Sequence, residues 1–312
     1  MISLNELESI HQQIQPYIHR TPVLTSQLLN EISEAELFFK CENFQKMGAF
    51  KMRGAAAVIL NLSAEQQQKG VVTHSSGNFA QAVSLAAKKI GVPAYIVMPS
   101  SAPQVKKDAV KAYGGKITLC APNLPAREKA AEKIIEETGA TFVHPSNDLD
   151  VIYGQGTAAL ELLQDYPELH YLVTPVGGGG LTAGSALAAT LFSEKCKSIG
   201  TEPFKADDAY RSLQSGKIET NETTDTMADG LRTQLGDKNF PLIKKYVDEI
   251  IRVEEEEIIT ALRLIWERMK IVVEPSSAVA LAGVLREKEK FRDRKVGIIL
   301  TGGNVDLQNL PF

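Results

Sequence analysis

Cysteine is scarce in this sequence. Cys41, Cys120 and Cys196 are far apart, odd in number and never in a C-x-x-C pair. That excludes a disulfide framework and a zinc ribbon, and it suits buried apolar filler in a reducing compartment. Long apolar runs are missing too: stretches such as Ala94–Met98 and Val296–Leu300 fall far short of the ~20 residues of a membrane span. The first residues, Met1-Ile2-Ser3-Leu4-Asn5-Glu6, lack the basic-then-apolar character of a signal sequence, so a cytoplasmic protein is expected. No excess of positive charge is available either. Thirty-four basic against 38 acidic residues give a net charge of −4, which argues against nucleic acid or an anionic membrane as partner. His11, His19, His74, His144 and His170 show no metal-ligand spacing, and no G-x-S-x-G elbow occurs.

What remains is ordinary globular composition, 44% hydrophobic and 23% charged over 312 residues, enough for one large or two modest domains. Leu4, Leu7, Ile10, Ile14 and Ile18 follow helical spacing after a Ser3/Glu6 capping box. Short apolar runs then alternate with amphipathic stretches. Strands are predicted at Leu37–Cys41, Val71–His74, Ala94–Met98, Lys116–Leu119, Thr141–His144, Tyr171–Val176, Ser198–Thr201, Glu249–Val253 and Val296–Leu300. Helices are predicted between most of them, including Asn78–Lys89, Gln104–Tyr113, Ala126–Glu137 and Thr182–Phe192. This alternation describes an α/β fold of parallel sheets with helices on both faces. Without a linker or repeat, two domains must be interleaved: a small one at 71–145 inserted in a large one formed by 1–70 and 146–312.

In open parallel sheets ligands bind at the carboxyl ends of strands, and four such loops stand out. Gly177-Gly178-Gly179-Gly180 opens a helix of small residues and reads as a phosphate cradle on a helix N-terminus. It also satisfies the loose G-x-G-x-x-A form through Gly178, Gly180 and Ala183, with Glu202 ending the next strand, so a dinucleotide site is a rival reading. Ser75-Ser76-Gly77-Asn78 can cap a helix or bind a carboxylate. Lys51, beside Phe50 at a helix start, opposes the macrodipole. It is either a surface lysine or an amine whose pKa is lowered for Schiff-base chemistry. Thr301, in Thr301-Gly302-Gly303-Asn304, offers a hydroxyl to a ring nitrogen or belongs to a plain turn.

A lysine, a phosphate cradle and two hydroxyl-bearing loops are the parts of a pyridoxal phosphate site. Together with Arg20-Thr21-Pro22-Val23, Phe50-Lys51-Met52-Arg53-Gly54-Ala55, Glu202-Pro203, Trp266-Glu267-Arg268-Met269-Lys270, Glu274-Pro275 and Gly302-Gly303-Asn304, they run in order over almost the whole chain. The chain resembles the fold type II pyridoxal phosphate enzymes, the tryptophan synthase β-like group, and within them the serine racemase and threonine/serine dehydratase branch. The resemblance implies that Lys51 forms the Schiff base with the cofactor, Phe50 packs on its ring and Asn78 bonds its phenolic oxygen. Gly177, Gly178, Gly179 and Gly180 would hold the phosphate, and Thr301 would face the pyridine nitrogen. Ser75, Ser76 and Asn78 would hold the substrate carboxylate, with Ser76 on the face opposite Lys51 and Arg127 contacting the substrate. Glu202, the Ala206 carbonyl and Asp208 would bind a divalent cation, Mg²⁺ or Ca²⁺.

The activity implied is ammonia-lyase chemistry on L-serine or L-threonine, with serine racemase and 3-hydroxyaspartate dehydratase or racemase as alternatives. A homodimer acting on a small amino acid is expected. The short stretch after Asn304 leaves no room for a regulatory domain, which favours a catabolic form. Two positions depart from the family pattern: Phe79 stands where relatives usually carry His, and Gln234 where the racemase branch has a serine in the substrate pocket. Both imply a shifted side-chain preference with the cofactor chemistry intact.

Overall fold

The computed structural model describes residues 2–193, 195–307, 310 and 312. In chain order its strands are β1 (Val23–Leu24), β2 (Glu36–Cys41), β3 (Val71–His74), β4 (Ala94–Pro99), β5 (Lys116–Cys120), β6 (Thr141–Phe142), β7 (Tyr171–Pro175), β8 (Lys197–Pro203), β9 (Glu249–Val253) and β10 (Lys295–Leu300). They form a six-stranded sheet in the order β1-β2-β10-β7-β8-β9 and a four-stranded sheet in the order β5-β4-β3-β6. The pairings are parallel except for β1, which lies antiparallel on the edge against β2. Every predicted strand is present. The antiparallel β1 escapes a sequence reading because two residues have no period to recognise.

Parallel strands covered on both sides need apolar residues at odd and even positions alike. In β10, Val296, Ile298 and Leu300 enter one core cluster and Ile299 the other, so the sheet is buried on both faces. No described helix is long and apolar enough to cross a membrane.

Two boundaries move from their predicted places for reasons of hydrogen bonding. The opening helix stops at Ile14, where Pro16, which has no N–H to donate, enters a 3₁₀ turn over Gln15–Tyr17. Strand β6 stops at Phe142 because the His144 ring turns the chain: its Nδ1 accepts the N–H groups of Ser146 (3.2 Å) and Asn147 (2.8 Å). An Nδ1 that accepts fixes the imidazole proton on Nε2.

The helix carrying the candidate lysine, Lys51–Asn61, lies against the helix Leu149–Asp165 with their backbones nearly touching. A Cβ on Gly54 would sit 2.8 Å from the Val151 carbonyl oxygen, and one on Gly154 would sit 2.8 Å from that of Arg53. Beneath this contact lies a buried ion cluster. Arg53 pairs with Glu42 (Nε–Oε2, 2.8 Å) and Glu161 (Nη2–Oε2, 2.8 Å), and Glu161 also takes Lys40 (2.6 Å) and His11 (2.8 Å). Burial works to raise the Glu161 carboxyl, but Arg53, His11 and Lys40 together hold it well below the usual range. Lys51 therefore starts a helix whose position is fixed by backbone contact on one side and paired charges below.

Candidate active site

One cavity of about 1210 Å³ opens at the carboxyl ends of the strands, and Lys51, Ser75, Ser76, Asn78, the four glycines, Arg127 and Thr301 all line it. The loops after β3, β7 and β10 thus converge, as the strand-end rule requires.

Lys51 is the first residue of its helix, after Phe50. Its Nζ donates to the Pro145 carbonyl at 2.8 Å and lies 4.9 Å from the Phe50 ring centroid and 5.8 Å from that of Phe79. Burial removes water from the ammonium, the Glu274 carboxylate opposes it only in part, and the pKa falls to about 8. The alternative of a surface lysine is excluded.

The glycine run is shaped by the protein packed behind it. A Cβ on Gly177 would lie 2.9 Å from Leu231 Cα, and one on Gly178 2.4 Å from Ser146 Oγ. A Cβ on Gly180 would lie 2.7 Å from Gln155 Oε1, and Gly179 adopts φ +77°. The helix Gly180–Phe192 that follows has no side chain capping its N-terminus, and its first bond back to the N-cap residue is Ala183 N–H to the Gly179 carbonyl. The earlier N–H groups face the cavity with their dipole unopposed, which fits a phosphate.

Asn78 begins the helix after β3 and donates from Nδ2 to both carboxylate oxygens of Glu274, at 3.0 and 3.1 Å, while its Oδ1 accepts from Asn304 Nδ2 at 2.9 Å. Burial lifts the Glu274 carboxyl to about 7, although the Asn78 amide acts against the rise. Ser75 and Ser76 precede it, with Ser75 Oγ accepting from Gly77 N–H at 3.4 Å. Half-buried Arg127 has an Nε with no hydrogen-bond partner. Phe79 is 2% exposed and Gln234 is exposed, both on the cavity wall. His144 also faces the cavity; burial, with His74 and Lys51 nearby, lowers it to about 4, so it stays neutral.

Glu202 and Asp208 lie outside the cavity lining. Glu202 is fully buried, and its carboxylate accepts the N–H groups of Ala209 (3.1 Å) and Tyr210 (2.8 Å). Fully buried and away from the cavity that the glycines line, this carboxylate reaches no ribose there, which removes the dinucleotide reading of Gly178, Gly180 and Glu202. Asp208 Oδ2 accepts Leu235 N–H at 2.9 Å and Oδ1 accepts from Asn221 Nδ2 at 2.7 Å.

Three contributors carry no sequence signal strong enough to find them. Asn239 is buried and donates to the carbonyls of Ser146 (3.0 Å) and Gly178 (2.8 Å), tying the glycine loop to the loop that holds Lys51. Glu274 occurs in a family motif but its partner is visible only in three dimensions. Ser277, whose Oγ lies 2.9 Å from Thr301 Oγ1 and accepts Gly302 N–H at 2.8 Å, looks in the sequence like any small helix residue.

A lysine amine and an uncapped helix terminus on one cavity, at the ends of parallel strands, define an α/β enzyme working through a carbonyl cofactor that carries a phosphate. The sequence pattern described as "Pyridoxal-phosphate dependent enzyme" matches residues 14–302. Serine racemase of Arabidopsis thaliana is 52% identical over 309 residues, spanning 97% of this chain and 93% of its own. The β-hydroxyaspartate dehydratase of Paracoccus denitrificans (strain Pd 1222) is 48% identical over 307 residues, 98% of either chain. The crystal structure of the T.th. threonine deaminase superposes with a TM-score of 0.93 at 42% identity, covering 98% of this chain and 99% of that one. The chain belongs to the pyridoxal-phosphate dependent enzymes of fold type II, among their serine racemases and dehydratases.

Proposed function

We propose that this enzyme is an ammonia-lyase that eliminates water from L-serine or L-threonine, the resulting enamine turning to an imine that takes up water to give a 2-keto acid and ammonia. The observation that carries the reading is Lys51 Nζ, an amine brought to about 8, on the same cavity as the free N–H groups of the Gly180 helix. When bound, pyridoxal phosphate supplies an electron sink for the charge left by loss of the α-proton. Lys51 is the amine that anchors the cofactor and, once freed, the general base at the α-carbon. The first-turn N–H groups of the Gly180 helix hold the phosphate, and Phe50 packs beside the ring. Ser75, Ser76 and Asn78 orient the substrate carboxylate. Ser76 stands ready to move a proton on the other face, which is the racemase branch of the same chemistry.

A second reading is favoured by Arg127, whose unpaired Nε on the cavity wall suits a carboxylate in the substrate side chain. It is 3-hydroxyaspartate dehydration, the activity named for the Paracoccus relative.

Glu202, the Ala206 carbonyl and Asp208 are proposed to hold Mg²⁺ or Ca²⁺. Burial and the neighbouring Asp208 push the Glu202 carboxyl well above its usual range, and burial lifts Asp208 to about 6. Two buried carboxyls disfavoured as anions are a set of hard oxygens short of positive charge, which fits such an ion. Among the described residues no three His, Cys, Asp or Glu side chains gather, so water would complete the shell.

The test is a product assay with pyridoxal phosphate and Mg²⁺ on L-serine, L-threonine and 3-hydroxyaspartate, measuring keto acid and the D-enantiomer in one tube. Keto acid from L-serine or L-threonine, lost in Lys51→Ala, is expected. Turnover confined to 3-hydroxyaspartate would establish the second reading, and no keto acid from any of the three would overturn both.

A further inference from the structure

The four glycines leave a problem of aim. An anion needs N–H groups pointed at it, yet glycine on both sides of a peptide bond lets that peptide turn over at little cost. From Gly180 onward the helix sets the direction, with Ala183 N–H donating to the Gly179 carbonyl at 2.9 Å. The peptide that joins Gly178 to Gly179 stands just ahead of the helix. Among the described residues no backbone N–H donates to the Gly178 carbonyl, so the helix does not hold that peptide.

Asn239 holds it instead. Its Nδ2 donates to the Gly178 carbonyl at 2.8 Å and to the Ser146 carbonyl at 3.0 Å, and its Oδ1 accepts Gly236 N–H at 3.0 Å. Turning the amide over would set its oxygen against two carbonyls and its NH₂ against an N–H, so its orientation is fixed. Asn239 is fully buried and lies outside the cavity lining, whereas Gly178 and Gly179 belong to it. In a planar trans peptide the C=O and N–H point in opposite directions. A Gly178 carbonyl drawn back onto Asn239 therefore sends the Gly179 N–H toward the cavity. That N–H donates to no backbone carbonyl among the described residues.

We propose that Asn239 is a positioning residue for the cofactor phosphate: by gripping the Gly178 carbonyl from behind, it aims the Gly179 N–H into the cavity as one more donor ahead of those of the helix. The inference rests on the functional reading above. It adds a residue that touches neither cofactor nor substrate and acts through the peptide it holds.

The experiment compares the affinity of the apoenzyme for pyridoxal phosphate and for pyridoxal, which keeps the aldehyde for Lys51 but has no phosphate. Asn239→Leu keeps the volume, removes the donor and adds no charge. It is expected to weaken pyridoxal phosphate about ten- to hundredfold, the range of a hydrogen bond to a charged group, and to leave pyridoxal nearly unchanged. Equal losses for the two ligands overturn the proposal, because Asn239 would then only prop the loops. Unchanged affinity for pyridoxal phosphate overturns it as well. Hydrogen exchange resolved to single residues decides even where Asn239→Leu does not fold. In the wild type, pyridoxal phosphate is expected to slow exchange at Gly179 and pyridoxal is not. Exchange at Gly179 that pyridoxal phosphate leaves unchanged overturns the proposal. A wild type that takes up neither ligand overturns the functional reading, and the proposal with it.

Discussion

Asn78 and Glu274 meet across the cavity, the amide Nδ2 of one donating to both carboxylate oxygens of the other at 3.0 and 3.1 Å. Asn78 follows β3 of the four-stranded sheet, whereas Glu274 is the N-cap of a helix packed on the six-stranded sheet. The contact therefore fixes one sheet's loop against the other. Burial places the Glu274 carboxyl near 7. Below that pH one oxygen gains a hydrogen that points at a donor, and the pairing weakens. Cofactor affinity in the wild type should fall as pH drops through 7. Glu274→Gln, which sets amide against amide, should lower affinity about tenfold at pH 8 and flatten the dependence. Fluorescence titration of the apoenzyme across pH 6–9 checks both.

In its proposed role as the second base, Ser76 would separate two outcomes of one proton abstraction. Ser76→Ala is expected to abolish D-serine formation while keeping elimination from L-serine, and Lys51→Ala to abolish both. Chiral chromatography and keto-acid detection on the same reaction read the split. D-serine surviving in Ser76→Ala would refute the two-base assignment.

The ion cluster under the Lys51 helix gives a stability prediction. Glu161→Gln leaves Arg53 and Lys40 buried with Glu42 as the one carboxylate between them. An uncompensated buried charge costs about 3–5 kcal/mol. Thermal unfolding of the apoprotein should shift down accordingly. An unchanged melting temperature would mean that the cluster contributes nothing as an ion network.

Asp208 predicts how a cation should act on stability. Its pKa in the fold, about 6, stands above the ordinary 3.8. Ionising it therefore costs stability progressively as pH rises from about 4 through 6, and the cost is fully present at pH 8. Mg²⁺ added at pH 8 should raise the melting temperature by offsetting that cost. The gain should vanish near pH 5, where protons hold the site, and in Asp208→Asn at any pH. Differential scanning calorimetry with and without Mg²⁺ makes the comparison.

The parallel sheets are legible because β10, β7 and their neighbours are short apolar runs buried on both faces, separated by amphipathic helices. The loops are legible because glycine, serine and lysine at strand ends have few structural reasons to be there. What escapes is long-range. Asn239 is one polar residue in an unremarkable stretch, and only folding brings its amide onto the Gly178 and Ser146 carbonyls. The glycines read as access for an anion, yet Leu231 and Ser146 are what exclude a side chain at Gly177 and Gly178. His144 reads as the end of a strand, when its ring nitrogen is the acceptor that ends the strand early.

Strand β10 sits between β2 and β7, an interior place in the six-stranded sheet, although it is the last of the ten strands in chain order. On the ribosome, then, nearly every residue is made before the middle of that sheet exists, and β2 waits without its neighbour while about 250 residues follow. Thr301, one residue beyond β10, arrives later still. Nascent chains of this enzyme must emerge from the ribosome with the sheet divided, exposed strand edges on either side of the gap, and no complete catalytic centre. Premature termination between residues 253 and 295 leaves β1-β2 and β7-β8-β9 as two unjoined parts of the sheet and a substrate for chaperones.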